Sequence, residues 1–332
     1  MENPTPTNPA STGIHALFAA QQAHRQRMQL STPAERRAIL ERFKWAVERS
    51  REALIAALAA DLGKSRMEAE ITELHQVIEG LNHAIKKVGG WMRPRRVPGP
   101  LSMPGIRGEV RPTPKGTVLI LGPWNYPVTN LLSPCVDALA AGNTVILKPS
   151  EKAPATAQAI AELVAATFEP HLLAVVQGDA DTAQLLTHLP FDHILFTGNT
   201  EIGRKVMEAA TTNLTPVTLE LGGKSPVVLH ESADLGLAAE RVAWGKLLNV
   251  GQTCIAPDYV LVPRGKQAEF IRLVREAMTG MYGEGAWLRQ NADYGRLISP
   301  QSTERLRGLV QGSLDMGATL EMGATATRQP AS

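Results

Sequence analysis

Cys254 is the residue of this 332-residue chain whose type and setting most directly suggest chemistry. It lies in a short polar, glycine-containing stretch, Asn249–Tyr259, that follows a long apolar helix pattern. A buried structural thiol is the ordinary explanation for a lone cysteine. A nucleophilic thiolate is the alternative, and it requires a general base, an oxyanion donor and an acceptor for the leaving group. The upstream sequence contains candidates for all three.

Upstream of Cys254, short apolar segments alternate with helical patterns. Strands are predicted at residues 117–122, 144–147, 173–176 and 193–196, and helices at 131–141, 153–168 and after Gly198. This alternation is typical of right-handed βαβ units and of a parallel sheet covered on both faces. Ligands of such sheets bind beyond the carboxyl ends of the strands, which is where the unusual residues of this sequence lie.

Two of these strand ends carry polar candidates. Asn125 lies between Pro123 and Pro127, which fix a turn and leave the side-chain amide able to donate a hydrogen bond. The alternative is that Asn125 hydrogen-bonds within its own turn. The second strand runs into Lys148 and Glu151, a cation and a carboxylate suited to the hydroxyl groups of a ribose. For this pair, the alternative is a surface ion pair.

Two further strand ends carry a glycine-containing turn and a glutamate. The segment Gly198–Gly203 lies between a strand and a helix, where its backbone could approach a diphosphate at the positive helix end. Its spacing differs from the G-x-G-x-x-G fingerprint. Glu220 stands inside the apolar stretch 217–221, and burial there would favour the neutral form and suit a general base. The alternative is an edge-strand glutamate that faces water.

Composition limits the class of protein. With 44% hydrophobic and 20% charged residues and a net charge of +2, the chain is typical of a globular protein and has no charge excess that favours nucleic acid. Two cysteines fit a reducing cytosol, and no stretch resembles a signal peptide or a membrane span. We therefore predict a cytoplasmic protein with no nucleic-acid partner and no membrane segment. No metal-ligand spacing is present, so no metal is predicted.

Five motifs, in this order, closely resemble the aldehyde dehydrogenase superfamily. They are PWNYP (123–127), AAGNTVILKPSE (140–151), FTGNTEIG (196–203), LELGGKSP (219–226) and GQTCIAPDY (251–259). The best match is the short class 3-like branch, which includes bacterial coniferyl aldehyde dehydrogenases. The resemblance implies an α/β fold in which a dinucleotide-binding domain with a Rossmann-like parallel sheet is followed by an incomplete α/β catalytic domain.

The resemblance also assigns roles in oxidising an aldehyde to a carboxylic acid with NAD or NADP. Cys254 would be the nucleophile that forms a thiohemiacetal. Asn125 would complete an oxyanion hole, and Glu220 would activate the water that cleaves the thioester. Lys148 and Glu151 would contact the adenosine ribose. The diphosphate would be held by a segment that consists of Gly198, Asn199, Thr200, Glu201, Ile202 and Gly203.

The predicted domains follow from these assignments. They are a disordered tail (1–13), a dinucleotide-binding domain (14–92 and 115–224), a proline- and arginine-rich bridging or oligomerisation arm (93–114) and a truncated catalytic domain (225–332). Members of the superfamily continue with an E-I-F-G-P segment that holds the nicotinamide ribose, so we expect part of the cofactor clamp to be absent. The resemblance implies a homodimer for the full-length family.

Three functions therefore stay open. The first is NAD(P)-dependent oxidation of an aldehyde. The second is that of a catalytically impaired remnant that binds nucleotide or pairs with an intact homologue. The third is a cysteine esterase activity, which needs the nucleophile, the oxyanion donor and the base but no cofactor. Reduced-nicotinamide formation that depends on Cys254 distinguishes the first function from the other two.

Overall fold

The structure is a computed structural model that describes residues 9–99, 102, 105–283, 288 and 290–323. The chain divides into two compact units. Unit 1 comprises residues 1–61 and 69–221, and unit 2 comprises residues 62–68 and 222–332.

The N-terminal part of the chain is helical. Its elements are α1 (Pro9–Gln29), α2 (Pro33–Arg49), α3 (Arg51–Leu62), α4 (Arg66–Ala69), a π-helical turn (Glu70–Leu74) and α5 (His75–Trp91). Helix α2 begins where the sequence supplies a capping box: Thr32 and Glu35 each accept a hydrogen bond from the other's backbone N–H. An antiparallel ribbon of β1 (Arg95–Val97) and β2 (Gly108–Val110) follows.

Strands and helices then alternate to complete unit 1. The elements are β3 (Thr117–Leu121), α6 (Thr129–Ala140), β4 (Thr144–Lys148), α7 (Pro154–Ala165), β5 (Leu173–Val175), α8 (Ala180–Thr187), β6 (His193–Gly198), α9 (Thr200–Thr211) and β7 (Val217–Leu221). All five strands are parallel, in the order β5-β4-β3-β6-β7. Strands β4 and β5 lie on one side of β3, and the later strands β6 and β7 lie on its other side. The boundary between β3 and β6 is therefore a topological switch point.

The central strands are buried along their whole length, which explains why they are continuous apolar runs and not alternating ones. One face of the sheet packs against α1, α8 and α9. The core on this face consists of Ile14, Phe18, Leu119, Leu121, Ile146, Leu186, Leu189, Phe191, Ile194, Phe196, Val206 and Ala210. This core fixes the carboxyl ends of the strands relative to one another.

Unit 2 contains a smaller parallel sheet with two helices packed on it. Its further elements are β8 (Ser225–Val228), α10 (Leu235–Leu247), a 3₁₀ turn (Leu248–Gly251), β9 (Pro257–Leu261), α11 (Gln267–Tyr282) and α12 (Pro300–Asp315). Strands β8 and β9 pair in parallel with an irregularity at Ser225/Pro226. The buried residues between the helices and this sheet are Leu235, Ala239 and Phe270.

The predicted strands and helices between residues 117 and 221 are confirmed, and two other predictions need correction. The predicted tail 1–13 is wrong for its last part, because α1 begins at Pro9; residues 1–8 lie outside the described residues. Part of the predicted arm 93–114 forms the ribbon of β1 and β2, and its residues 100, 101, 103 and 104 lie outside the described residues.

Gly142 is expected to be a sensitive point for the stability of unit 1. Its φ of +88° is left-handed, and a Cβ there would lie 2.4 Å from the Arg36 guanidinium carbon. That guanidinium is buried and donates to the carbonyl oxygens of Ala140 (3.2 Å) and Ala141 (2.8 Å). Gly142→Ala should lower the free energy of unfolding by about 2–4 kcal/mol, as the sum of backbone strain and overpacking. Urea denaturation measures this loss.

Gly105→Ala is the matched control for that measurement. Gly105 also has a left-handed φ (+94°), but a Cβ there would meet nothing within 4 Å. Gly105→Ala should lower the free energy of unfolding only through backbone strain, by about 1 kcal/mol. Equal losses at the two positions would show that displacement of Arg36 contributes nothing.

Candidate active site

A cavity of about 720 Å³ opens at the carboxyl ends of β3, β4 and β6. This is the switch point of the sheet, where α/β folds of this topology bind ligands, and the volume suits a small molecule or cofactor. The lining from the strand ends consists of Leu121, Gly122, Pro123, Trp124, Lys148, Ser150, Glu151, Lys152, Phe196, Thr197, Gly198 and Asn199. Side chains of α8 and α9 complete the wall.

Lys148 and Glu151 form an ion pair at this cavity. The Lys148 side chain is only 5% exposed, and its Nζ donates to the Glu151 carboxylate (3.0 Å) and to the Pro149 carbonyl oxygen (3.1 Å). The Glu151 side chain is 48% exposed and lines the cavity. Burial opposes ionisation of Glu151, but hydrogen bonds from its own backbone and from Lys148 outweigh it and lower its pKa. A charged hydrogen-bond acceptor is therefore held at the cavity.

Only part of the predicted diphosphate segment lines the cavity. Gly198, Asn199 and Ile202 do so. Asn199 caps α9, because its Oδ1 accepts from the backbone N–H of Ile202 (2.8 Å). The N-terminus of α9, with its partial positive charge, thus lies at the cavity and suits an anionic group.

The other three residues of that segment have different surroundings. Thr200 is exposed, and Glu201 is exposed with its carboxylate 3.9 Å from the Lys205 ammonium. Gly203 is buried, and a Cβ there would lie 2.8 Å from Leu221, so this glycine permits close packing of α9 on the sheet. These three residues are absent from the lining of the cavity.

Asn125 lies in the turn between β3 and α6 and is half-buried. The turn is anchored at its start, where the N–H of Gly122 donates to the Lys148 carbonyl oxygen (3.0 Å). Tyr126 is buried, and its carbonyl oxygen accepts from the N–H of Asn130 (3.1 Å). Asn125 is thus held between two fixed points of the backbone, in agreement with the rigid turn predicted from its flanking prolines.

The predicted burial of Glu220 is wrong. Strand β7 is the last strand in the order of the five-stranded sheet, and Glu220 is exposed on it. Thr218 shares this exposure, whereas Leu219 and Leu221 on the other side pack against the core. The alternative interpretation, an edge-strand glutamate in contact with water, is the one that the structure supports. Water can therefore reach this carboxylate directly.

Unit 2 places Cys254 in an exposed turn between the 3₁₀ turn and β9. The predicted alternative of a buried structural thiol does not hold for this residue. It does hold for Cys135, which is fully buried in α6. Gly223 runs so close to the Cys254 turn that a Cβ there would lie 3.1 Å from the Cys254 carbonyl oxygen. A side chain at this point of the LELGGKSP motif would therefore require the Cys254 turn to move by a few tenths of an ångström.

The backbone before Cys254 is left-handed over three successive residues. The φ angles are 49° at Asn249, 56° at Val250 and +75° at Gly251. A β-branched residue such as Val250 is rarely found in this region, and such strain persists only where the surroundings enforce it. The buried Glu68 contributes, because its Oε1 accepts from the N–H of Asn249 (2.7 Å).

Gln252 provides a second restraint on the same turn. Its Nε2 donates to the carbonyl oxygens of Asn249 (3.2 Å) and Arg296 (3.0 Å), and its Oε1 accepts from the N–H of Ile298 (3.0 Å). The turn that carries Cys254 is therefore tied to the segment before α12. No local sequence pattern indicates this role, because the partners lie 44 and 46 residues away along the chain.

Cys254 should be the faster-reacting thiol of the native protein. The thiolate is the reactive form, and burial together with the negative charge of Asp137 raises the pKa of Cys135. A native Ellman titration should therefore give one thiol per chain, and a second only after denaturation. Cys254→Ala should remove the native reaction, and Cys135→Ala should leave it unchanged. Two rapidly reacting thiols in the native wild type would contradict the burial of Cys135.

Part of the cavity wall comes from helices and was not predicted from the sequence. This wall consists of Ala180, Ala183, Gln184, Thr187 and His188 from α8 and of Lys205, Val206, Glu208, Ala209 and Thr212 from α9 and its end. On α9, Ile202, Lys205, Ala209 and Thr212 follow one another at intervals of three or four residues and so share one helix face. That spacing was available in the sequence once the helix after Gly198 had been predicted.

Neither a metal-binding cluster nor a membrane-spanning helix is found among the described residues. There, no three His, Cys, Asp or Glu side chains are grouped so that they could bind a metal ion. No helix in the same part of the chain has the length and hydropathy needed to cross a membrane.

The parallel sheet and the cavity at its switch point define a Rossmann-like α/β protein of the dinucleotide-binding class. The chain belongs to the aldehyde dehydrogenase family, whose family model matches residues 6–332. The sequence-based recognition of this family is therefore confirmed.

Three relatives illustrate the similarity. The probable coniferyl aldehyde dehydrogenase of Pseudomonas aeruginosa is 40% identical over 308 residues, which cover 92% of this chain and 64% of the relative. The dimeric NADP-preferring aldehyde dehydrogenase of Canis lupus familiaris is 38% identical over 82% of this chain and 60% of its own length. The substrate-bound structure of Staphylococcus aureus AldH superposes with a TM-score of 0.87 at 36% identity, covering 91% of this chain and 66% of that one.

The chain thus spans about three fifths of the length of the two curated relatives. Within that span it carries the five motifs and the cavity described above.

Proposed function

We propose that this protein oxidises an aldehyde to the carboxylic acid by NAD(P)-dependent hydride transfer through a covalent bond to Cys254. The observation that carries the proposal is the exposure of this one thiol, on a strained and tightly tied turn, in a chain of the aldehyde dehydrogenase family. An exposed thiol on a fixed backbone is what nucleophilic catalysis requires.

Acylation uses Cys254 and Asn125. The thiolate adds to the aldehyde carbon, and the carbonyl electron pair moves to oxygen to give a thiohemiacetal alkoxide. The side-chain amide of Asn125 and the backbone N–H of Cys254 donate hydrogen bonds to that oxygen. Bound NAD(P)⁺ would supply the acceptor for the hydride of that carbon, and Cys254 would then hold the acyl group as a thioester.

Deacylation uses Glu220. Its carboxylate takes a proton from a water molecule, and the resulting hydroxide adds to the thioester carbonyl. The carbon–sulfur bond then breaks, which releases the carboxylic acid and regenerates the thiolate. The solvent-exposed position of Glu220 supports this role, because the attacking water comes from solvent.

The residues of the switch-point cavity fit a dinucleotide. Glu151 offers a charged acceptor held by Lys148, and the N-terminus of α9 offers backbone donors near Gly198. Gly198 is itself packed tightly, since a Cβ there would lie 2.4 Å from the Phe196 ring. We assign the adenosine ribose to Lys148 and Glu151 and the diphosphate to the turn that begins at Gly198.

Glu151 is expected to favour NAD over NADP, because its carboxylate repels a 2′-phosphate. Glu151→Gln removes the charge, so the ratio of the dissociation constants for NADP and NAD should fall about tenfold. Titration calorimetry with each cofactor measures this ratio without turnover. Glu169→Gln is the matched control, because this exposed carboxylate lies outside the cavity lining, and its ratio should equal that of the wild type. An unchanged ratio in Glu151→Gln would contradict the assignment.

Assembly and location belong to the same proposal. The relative from Canis lupus familiaris is described as dimeric, and we propose a homodimer for this protein. Two free thiols fit a reducing compartment, so we propose a cytoplasmic location. For domain organisation, we propose that unit 1 binds the dinucleotide and that unit 2 supplies the nucleophile.

The test is to supply the purified chain with an aromatic aldehyde and NAD, and then NADP. Reduced nicotinamide and carboxylic acid should form in equal amounts. Pretreatment with iodoacetamide, which alkylates the exposed thiol, should abolish both products. The choice of an aromatic aldehyde follows from the similarity to the probable coniferyl aldehyde dehydrogenase. A folded chain that forms no reduced nicotinamide with any of a broad aldehyde panel would overturn the proposal.

The esterase alternative makes a different prediction in the same assay. It needs Cys254, Asn125 and Glu220 but no cofactor. Hydrolysis of p-nitrophenyl acetate without any reduction of NAD or NADP would favour it.

A further inference from the structure

Glu73 is a buried carboxylate that the proposed mechanism does not use. It lies in the π-helical turn Glu70–Leu74, and its side chain is completely excluded from solvent. It stands four residues before Val77, the first of the buried stripe of α5, which consists of Val77, Leu81, Ala84 and Val88. An apolar residue is expected at such a position, because a buried carboxylate is costly unless hydrogen bonds satisfy it. The exception therefore calls for a functional explanation.

The hydrogen bonds of Glu73 lead to the start of α6. Its Oε2 accepts from the backbone N–H groups of Val128 (3.0 Å) and Thr129 (2.8 Å). Helix α6 begins at Thr129, and its N-cap residue Val128 has no side-chain acceptor with which to cap the helix. Glu73 supplies that acceptor from 55 residues away, and its negative charge suits the positive helix end. The carboxylate thereby fixes where α6 starts.

The start of α6 also fixes the turn that carries Asn125. Val128 follows Asn125 by three residues, and the intervening Pro127 has a locked φ. The other end of the turn is held by Gly122 through its bond to the Lys148 carbonyl oxygen. A shift of Val128 would therefore act on Asn125 through a short segment that contains a conformationally restricted proline.

The π-helical turn sets the position of the carboxylate. A π turn contains an extra residue relative to an α-helix, and such insertions are frequent at functional sites. Within this turn, Glu73 is buried and directed to α6, whereas Glu70 pairs with Arg51 on α3. The two carboxylates of this turn thus have separate partners, and Glu70 can serve as the control for Glu73.

We propose that Glu73 is a positioning residue that orients the Asn125 amide as oxyanion donor. The inference rests on the proposed function, since it concerns the acylation of Cys254. It predicts that loss of the two hydrogen bonds displaces Asn125 and slows acylation, while cofactor binding at the switch-point cavity is unaffected.

The test is a double-mutant cycle read out by the rate of the acylation burst with p-nitrophenyl acetate. Asn125→Ala should slow acylation on the order of 10²–10³-fold, the usual effect of a lost oxyanion donor. Glu73→Ala should slow it ~10–100-fold, because a displacement of about 1 Å has effects of this size. The double variant should be no slower than Asn125→Ala, because Glu73 acts only through Asn125.

Conservative variants separate positioning from general damage. In Glu73→Gln the amide oxygen can still accept both N–H groups, so acylation should stay within about threefold of the wild type. Glu73→Asp keeps the charge, but its shorter side chain moves the carboxylate oxygen away from the two N–H groups. Acylation in this variant should therefore be about tenfold slower. Glu70→Ala should match the wild type. If Glu73→Ala fails to fold, the contrast between Glu73→Gln and Glu73→Asp decides the question.

An NMR measurement that requires no catalysis tests this inference independently of the proposed function. The side-chain amide of Asn125 can be observed by NMR after ¹⁵N-asparagine labelling and assigned with Asn125→Ala. Its resonance should shift in Glu73→Asp and stay in place in Glu73→Gln. A wild type without Cys254-dependent acylation would overturn the proposed function, whereas the resonance shift would still support positioning by Glu73.

Two outcomes would overturn the inference itself. One is an unmoved Asn125 resonance in Glu73→Asp and Glu73→Ala. The other is an equal factor lost on the wild-type and Asn125→Ala backgrounds, which would show that the two residues act independently.

Discussion

Cys254→Ala is expected to lower both aldehyde oxidation and ester hydrolysis by on the order of 10⁴-fold or more. The nucleophile takes part in every covalent step of the proposed cycle, and removal of such a group costs about as much as removal of the whole catalytic set. Reduced nicotinamide measured by absorbance gives the first activity, and p-nitrophenol release gives the second. Both should fall together.

Cys135→Ala is the matched control for this loss. Cys135 is the other cysteine of the chain and is fully buried in α6. Its replacement by alanine leaves a small cavity, which should cost about 1 kcal/mol of stability and leave the activity per folded molecule unchanged. Retention of either activity in folded Cys254→Ala would show that a different group makes the covalent bond. A comparable loss in Cys135→Ala would show that the effect of Cys254 is structural.

The sheet of unit 1 could be predicted because its strands are buried runs of apolar residues with clear ends. Pro123 and Pro149 interrupt the backbone directly after β3 and β4, and the helices between the strands have the expected length. Since the carboxyl ends of parallel strands meet at one edge, the sequence predicted that Lys148 and Gly198 lie at the same edge of the sheet.

Elements with weak or contradictory signals were missed. Helix α8 has eight residues, too few for an amphipathic pattern to be distinguished from a loop. Strand β8 contains Pro226, which argues against a central strand; in the structure it lies next to an irregularity in a two-stranded sheet. The π-helical turn was not predicted, because hydrophobic periodicity over a single turn does not distinguish i→i+5 from i→i+4 hydrogen bonding.

Glu220 shows the limit of sequence reasoning about burial. Its neighbours Leu219 and Leu221 are apolar, and this pattern suggests a buried strand. Whether the alternate face is covered depends on the position of the strand in the sheet, and strand order is a property of the whole fold. Strand β7 is last in that order, so Glu220 is exposed. Likewise, the hydrogen bonds of Glu73 cross 55 residues of sequence and leave no local pattern.

Glu220→Gln is expected to separate the two halves of the proposed cycle. Acylation of Cys254 and hydride transfer do not need this carboxylate, so the variant should form one reduced nicotinamide per chain in a rapid burst. Deacylation needs the base, and steady-state turnover should therefore fall about 10²–10⁴-fold. Glutamine has nearly the same size as glutamate and is placed on an exposed strand position, so the fold should be unaffected.

Intact-protein mass spectrometry provides the decisive measurement for Glu220. In samples quenched after the burst, most Glu220→Gln chains should carry the added mass of one acyl group, whereas few wild-type chains should carry it. Peptide mapping should place the adduct on Cys254. Glu169→Gln, another exposed carboxylate of unit 1, should behave as the wild type. A Glu220→Gln variant that shows no burst would mean that this carboxylate activates the thiol before attack. A variant with normal turnover would assign the activation of water to a different group.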